Sequence, residues 1–179
     1  MSQGFLYCAF GEPRFLDEAA GAIARLLRHN PGAKVCLATS EALKAYCERT
    51  YGHLTLDRIH CIAQPEGADE YFFRTTFYDV SPYDRTIALD ADTHVAADLQ
   101  PLFDLLETFD FAAAPDNVPH PTGTGIRGLQ GGYASLGMYN TGVLLFRKSP
   151  AARQLFEHWK REVVARENDQ KSLLRALVK

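Results

Sequence analysis

Along the first two thirds of the chain, short apolar runs alternate with stretches whose apolar residues recur every three or four positions. That is how strands and helices take turns in a parallel α/β sheet. Residues 4–10 (GFLYCAF) read as a first strand. Leu16, Ala19, Ala20, Ile23, Ala24 and Leu27 then recur at helical spacing, and HNPG at 29–32 stops that helix. Residues 34–39 (KVCLAT) form a second strand, Ser40 caps a helix carrying Leu43 and Tyr46, and residues 58–64 (RIHCIAQ) form a third strand. A helix around 69–79 leads to a fourth strand at 86–90 (TIALD), followed by a short helix at 101–107 and a strand at 110–115 (DFAAAP). The pattern then breaks: residues 115–139 hold three prolines and six glycines with little periodicity, an irregular segment of a length that usually carries function or is disordered. Regular structure returns with a strand at 141–146 (TGVLLF), a helix over 150–166 and a last helix from Asp169.

At 179 residues the chain can bury one sizeable core, so a single domain over 1–179 is expected. Nineteen basic residues stand against 22 acidic ones, for a net charge of −3. Without a basic run, nucleic acid and anionic membranes are poor partners. The N-terminal MSQGFLYCAFGEPRF has no signal-peptide pattern, and no stretch is apolar over the roughly 20 residues that span a bilayer. Cys8, Cys36, Cys47 and Cys61 are widely spaced without a CxxC pair. They read as buried thiols of a protein in the reducing cytoplasm.

Candidate chemistry gathers in two places. GTGIRG at 123–128 matches G-x-G-x-x-G letter for letter, but Pro119 and Pro121 precede it and a further glycine pair follows, so the strand and helix that make the motif bind dinucleotides are missing. Its glycines read as loop glycines. Asp90 and Asp92 lie at the carboxyl end of the fourth strand, where open α/β sheets bind ligands. If the segment stays extended, both carboxylates point the same way and can face one Mg²⁺ or Mn²⁺ that bridges to substrate phosphates. The alternative is a solvated turn in which Asp92 or Thr93 starts a hydrogen-bonded bend. Spacing alone leaves both readings open.

The order FRTTFYDVSPYDRTIALDADTHV, then YNTGVLLF, then NDQ resembles the nucleotide-diphospho-sugar glycosyltransferases of GT-A fold, in particular the glycogenin-like and bacterial galactosyltransferase-like group known as family 8. The resemblance spans nearly the whole chain and implies a Rossmann-like, mostly parallel sheet flanked by helices. It implies an enzyme that moves a sugar from a UDP-sugar donor to an acceptor: a saccharide, a lipid-linked sugar or a protein. Asp90 and Asp92 match the family's DxD ligands for Mn²⁺ or Mg²⁺, with the Ala91 backbone near the donor ribose. Ala9, Phe10 and Gly11 match the nucleoside pocket, and Phe15 stands where an aromatic stacks on uracil. Arg74 matches the basic residue reaching the donor sugar or phosphates, Asn140 and Thr141 the segment lining the sugar, and Asp169 and Gln170 the pair beside the reacting carbon. Each has a plainer reading: Phe10 and Phe15 as core aromatics, Arg74 as a surface helix residue, Asp169 as a helix cap.

Relatives of this kind take a third metal ligand, a histidine, from a segment after the D-Q helix. Nothing before Lys179 supplies it, which implies an abbreviated C-terminal end, and neither His94 nor His120 matches that motif. Two other functions stay open. One is a nucleotide-sugar-binding relic without turnover. The other is a haloacid-dehalogenase-type phosphatase, since LDADTHV resembles its first motif, with Asp90 as nucleophile and Asp92 as acid. That motif belongs on an early strand, and here 89 residues precede Asp90.

Overall fold

A computed structural model of the chain describes residues 1–63, 70–116, 137–163 and 169–179. The GTGIRG segment, His120 and the expected end of the helix at 164–166 lie outside these residues, as does most of the irregular segment at 115–139.

Six strands form one sheet: β1 Gln3–Ala9, β2 Val35–Thr39, β3 Arg58–Cys61, β4 Arg85–Leu89, β5 Phe111–Pro115 and β6 Tyr139–Arg147. Their order is β3-β2-β1-β4-β6-β5. The first four pair in parallel, and β6 then joins β4 and β5 antiparallel. This is the mixed α/β, mostly parallel sheet expected from the sequence. Along β1, Phe5, Tyr7 and Ala9 enter a core with helices α1 (Pro13–His29) and α2 (Glu41–Tyr51), while Leu6 enters the core on the opposite face. Covering both faces explains why β1 reads as an unbroken apolar run. The second core packs β4 and β6 under α3 (Phe77–Val80), α5 (Pro150–Glu162) and α6 (Asp169–Leu177); a short helix α4 (Leu105–Thr108) follows the turn at 100–104.

Local signals act where the sequence places them. Ser40 Oγ accepts from Leu43 N–H at 3.3 Å at the start of α2, and Ser149 Oγ accepts from Ala152 N–H at 3.1 Å ahead of Pro150. Asn30 ends α1 and is used twice more: its Nδ2 donates to the Leu26 and Ala97 carbonyls, and its Oδ1 accepts from Leu99 N–H at 2.7 Å. The loop leaving β4 is thereby tied to the first helix.

Three expectations change. The helix expected over 69–79 is a 3₁₀ segment, Glu70–Thr76, running into α3. The Thr75 and Thr76 hydroxyls donate to the carbonyls of Phe72 and Phe73, each at 2.7 Å, and these bonds to the third residue back favour the tighter winding. A second 3₁₀ segment, Gln100–Asp104, replaces the start of the helix expected at 101–107. The β6 strand begins at Tyr139, so Asn140 and Thr141 lie within it. Of the cysteines, Cys36 and Cys47 are buried, while Cys8 and Cys61, at or near strand ends, are only half-buried. Among the described residues no helix is long and apolar enough to cross a membrane.

Gly4 marks a close approach. A Cβ there would sit 2.5 Å from the Tyr83 ring, which is buried and held by its hydroxyl donating to Asp57 Oδ2 at 3.1 Å. Gly4→Ala is therefore expected to destabilise the fold by about 1–3 kcal/mol, the cost of overpacking a filled core. Thermal unfolding would show this as a melting temperature lower by about 2–4 °C for each kcal/mol.

Candidate functional site

β1 is flanked by β2 on one side and β4 on the other, so the strand order reverses there and a crevice opens beyond the carboxyl ends. A cavity of about 320 Å³ occupies it. Its lining has an aromatic part, Phe10, Phe15, Phe73 and Phe77, and a charged part, Glu18, Arg74, Asp90 and Asp92.

The aromatic part is built by two segments. Phe10, just past β1, stacks on Phe73 with ring centroids 3.7 Å apart and planes 4° from parallel. Gly11 then turns the chain with φ of +82°, a conformation open to glycine, and Phe15 follows from the first turn of α1, half-buried with the Arg14 guanidinium 4.7 Å from its ring centre. Phe10 and Phe15 thus line the cavity while also packing against neighbours.

The charged part is built by three. Asp90 N–H donates to the Gly142 carbonyl at 2.9 Å, extending the β4–β6 pairing by one residue. Thr93 then closes a turn on the Asp90 carbonyl, through its N–H at 3.1 Å and its hydroxyl at 2.7 Å. Ala91 and Asp92 therefore sit in a turn. The extended geometry that would align the carboxylates by strand parity is absent, although both still line one cavity. Asp90 is half-buried against Gly142, where a Cβ would lie 3.1 Å from Asp90 Oδ2. Asn140 Oδ1 holds Gly142 N–H at 2.8 Å.

Arg74 comes from the 3₁₀ segment. Its Nη2 and Nε donate to Asp90 Oδ2 and Oδ1 at 2.6 and 3.2 Å, and its Nη1 lies 3.4 Å from Asp169 Oδ2. This is no surface side chain: it is 18 % exposed, and Asp169 is 3 % exposed. Asp169 opens α6 with Gln170, and its main-chain oxygen is fixed by Trp159 Nε1–H at 3.2 Å and the Ser172 hydroxyl at 2.8 Å. Burial pushes the Asp90 pKa above the ordinary carboxylate value, against the pull of Arg74 and helped by Asp92 and Asp169. Burial also works against the Arg74 charge, but Asp90 and Asp169 outweigh it and hold that pKa above the usual arginine value. Cys8 also lines the cavity, and burial pushes its thiol pKa well up.

Asn140 is exposed and Thr141 buried on β6, next to Gly142, and neither lines the cavity; Asp169 pairs with Arg74, and Gln170 follows it in α6 without lining the cavity. Phe73 and Phe77 line it without having been singled out from the sequence, although YFFRTTF puts both beside Arg74. Trp159 and Ser172 carried no signal of their own. Among the described residues no group of three carboxylate, histidine or cysteine side chains is placed to hold a metal. The hard oxygens of Asp90 and Asp92 still suit Mg²⁺ or Mn²⁺, which need only one or two protein carboxylates when phosphate and water complete the shell.

This architecture is that of the GT-A-like glycosyltransferases. The glycosyltransferase GlyE of Streptococcus pneumoniae TIGR4 matches with a TM-score of 0.65 and 24 % identity, over 99 % of this chain and 43 % of that one. The galactosyltransferase LgtC, solved with donor and acceptor sugar analogs, matches with a TM-score of 0.62 and 15 % identity, over 97 % of this chain and 70 % of that one. Mouse xyloside xylosyltransferase 1 matches with a TM-score of 0.60 and 15 % identity, over 99 % of this chain and 82 % of that one. At these identities the likeness shows the fold, and this chain spans less than half of GlyE's length. It matches no protein-family model and no curated protein sequence.

Asp90 binds its proton more tightly folded than unfolded. It therefore favours folding most below the unfolded carboxylate range, and that contribution is lost as pH rises through its raised value. Asp90→Asn does not titrate and keeps an oxygen for Arg74. Without added cations, its melting temperature is expected to gain on the wild type as pH rises between about 4 and about 7. A constant difference across that range would show that Asp90 is not strained by burial.

Proposed function

We propose that this chain is the donor-binding part of a metal-dependent glycosyltransferase that moves a sugar from a nucleotide diphosphate, UDP, to an acceptor. The carrying observation is the cavity, whose lining combines four phenylalanine rings with charged side chains among which Glu18, Asp90, Asp92 and the adjoining Asp169 outnumber the Arg74 guanidinium. A base suits the rings. An anionic diphosphate suits the charged part only with added positive charge, which a cation on Asp90 and Asp92 would supply. When bound, Mn²⁺ or Mg²⁺ contributes Lewis-acid stabilisation of the departing diphosphate. The order of motifs supports placing the chain with the glycogenin-like and bacterial galactosyltransferase-like group.

In this reading Ala9, Phe10, Gly11 and Phe15 hold the base and the Ala91 backbone meets the ribose, while Asn140 and Thr141, outside the cavity beside Gly142, would flank a sugar that extends past it. Arg74 reaches the donor. The reaction breaks the bond from anomeric carbon to diphosphate and forms one to an acceptor oxygen that gives up its proton. Asp169 bonds sugar hydroxyls, and Gln170 lies near the anomeric carbon, where its amide oxygen supports growing positive charge. The acceptor belongs among saccharides, lipid-linked sugars and proteins. A phosphatase reading would need its first motif on an early strand, and Asp90 follows the fourth, β4. A binding relic shares the same geometry, so turnover separates it from an enzyme.

The test is a panel of nucleotide sugars scored for thermal stabilisation with and without manganese, and for transfer or hydrolysis. Asp92→Ala is expected to abolish manganese-dependent UDP binding with the melting temperature of the free protein unchanged. Asp169→Asn and Gln170→Ala are expected to lower turnover while UDP itself, lacking the sugar, binds as before. A lower melting temperature with normal turnover would instead make Asp169 a structural group, worth about 1 kcal/mol if it acts as a cap.

The base wall has its own check. Phe15→Ala is expected to weaken UDP binding by about 1–3 kcal/mol, the range for base–aromatic stacking. Calorimetry showing unchanged affinity would leave Phe10 and Phe73 as the base wall.

A further inference from the structure

Arg74 covers both oxygens of Asp90, through Nη2 at 2.6 Å and Nε at 3.2 Å. With one lone pair of each oxygen taken by the guanidinium, a cation arriving on the remaining lone pairs would sit close to a like charge. The third guanidinium nitrogen, Nη1, lies 3.4 Å from Asp169 Oδ2, within ion-pair range. That oxygen is buried and, among the described residues, has no hydrogen-bond partner. A short rotation of one long side chain would close this gap and vacate Asp90.

We propose that Arg74 is an exchangeable counter-ion, which a divalent cation arriving at Asp90 displaces onto Asp169. The inference rests on reading Asp90 as a cation ligand, and adds a coupling between that residue and the start of α6. Both seats are rigid. Asp90 is pinned through its main chain by Gly142 and Thr93, and Asp169 through its carbonyl by Trp159 and Ser172. The arginine's own backbone is fixed by the 3₁₀ segment and by Phe73 stacked on Phe10, so the guanidinium is the part that moves. The exchange has a driving force, because a divalent ion brings more charge to a half-buried carboxylate than a guanidinium does, while the moving guanidinium turns its 3.4 Å ion pair with Asp169 Oδ2 into a hydrogen bond. Its consequence is order: the cation loads first, and only then is the charge beside Asp169 and Gln170 rearranged for a sugar.

Manganese alone, without nucleotide, is titrated by calorimetry into the wild type, Arg74→Ala, Arg74→Lys, Asp169→Asn and the Arg74→Ala/Asp169→Asn double variant, each shown to be folded by thermal unfolding. Arg74→Ala is expected to bind roughly tenfold more tightly, the scale of one lost charge-assisted competitor. Arg74→Lys falls between, since an ammonium cannot fork across both oxygens. Asp169→Asn binds more weakly than the wild type, and this effect disappears in the Arg74→Ala background. A plain Coulombic influence of Asp169 would persist in both backgrounds and overturn the exchange. So would equal, measurable affinity across the set, which leaves the proposed function standing. Binding by none of the proteins overturns the exchange together with the cation reading of Asp90. Should Arg74→Ala not fold, Arg74→Lys in place of the alanine completes the same cycle, and its failure to change affinity overturns the exchange.

Discussion

One guanidinium between two carboxylates organises the functional end of this fold. Asp90 closes β4, Arg74 comes from the 3₁₀ segment and Asp169 opens α6, so the chain of charge joins three elements that are distant in sequence. Burying three charges is costly, and buried ion pairs often only break even against their desolvation. The surroundings show where that cost is met. The Asp90 main chain completes the sheet, the Asp169 carbonyl takes two hydrogen bonds, and the guanidinium uses all three nitrogens toward the carboxylates. Remove any one of the three residues and a buried charge loses its compensation.

The sheet decides where such a group can exist. Parallel strands β1 and β4 end side by side where the strand order reverses, which leaves a crevice beyond their carboxyl ends. Antiparallel β6 then runs back against β4 and brings Asn140 and Gly142 to the end at which Asp90 emerges. A parallel neighbour would have delivered its own carboxyl end instead. The single reversal of direction supplies the glycine against which the Asp90 carboxylate rests.

The strands that read best in the sequence are those buried on both faces. β1, β2 and β4 are continuous apolar runs because both faces are packed, and the Ser40 cap is local chemistry that no tertiary contact reverses. FRTTF misled because helical periodicity does not distinguish a 3₁₀ turn from an α-helix, and the two threonine hydroxyls decide between them. Asp90 and Asp92 were legible as a pair at a strand end, but both sequence readings describe part of the result: a hydrogen-bonded turn, and two carboxylates on one cavity. Arg74 was legible as a site residue; its partners were not, since ion pairing across the sheet leaves no periodic trace. The same holds for Phe10 on Phe73 and for Trp159 under Asp169, contacts made only once the chain has folded.

Burial that weakens the fold at Asp90 is also what prepares it chemically. In water a carboxylate must shed hydration before it can hold a cation or a guanidinium, and folding has already removed part of that shell. Apolar rings among the lining residues exclude part of the water around Asp90, which strengthens charge interactions there. Burial alone favours the protonated form of Asp90 and raises its pKa. Arg74 supplies the opposing pull that favours the charged form, and a cation taking its place would supply more. The raised pKa, the bidentate arginine and the aromatic lining are therefore one arrangement: a carboxylate kept poorly hydrated and paired, in a cavity where an anionic ligand would need that pairing changed.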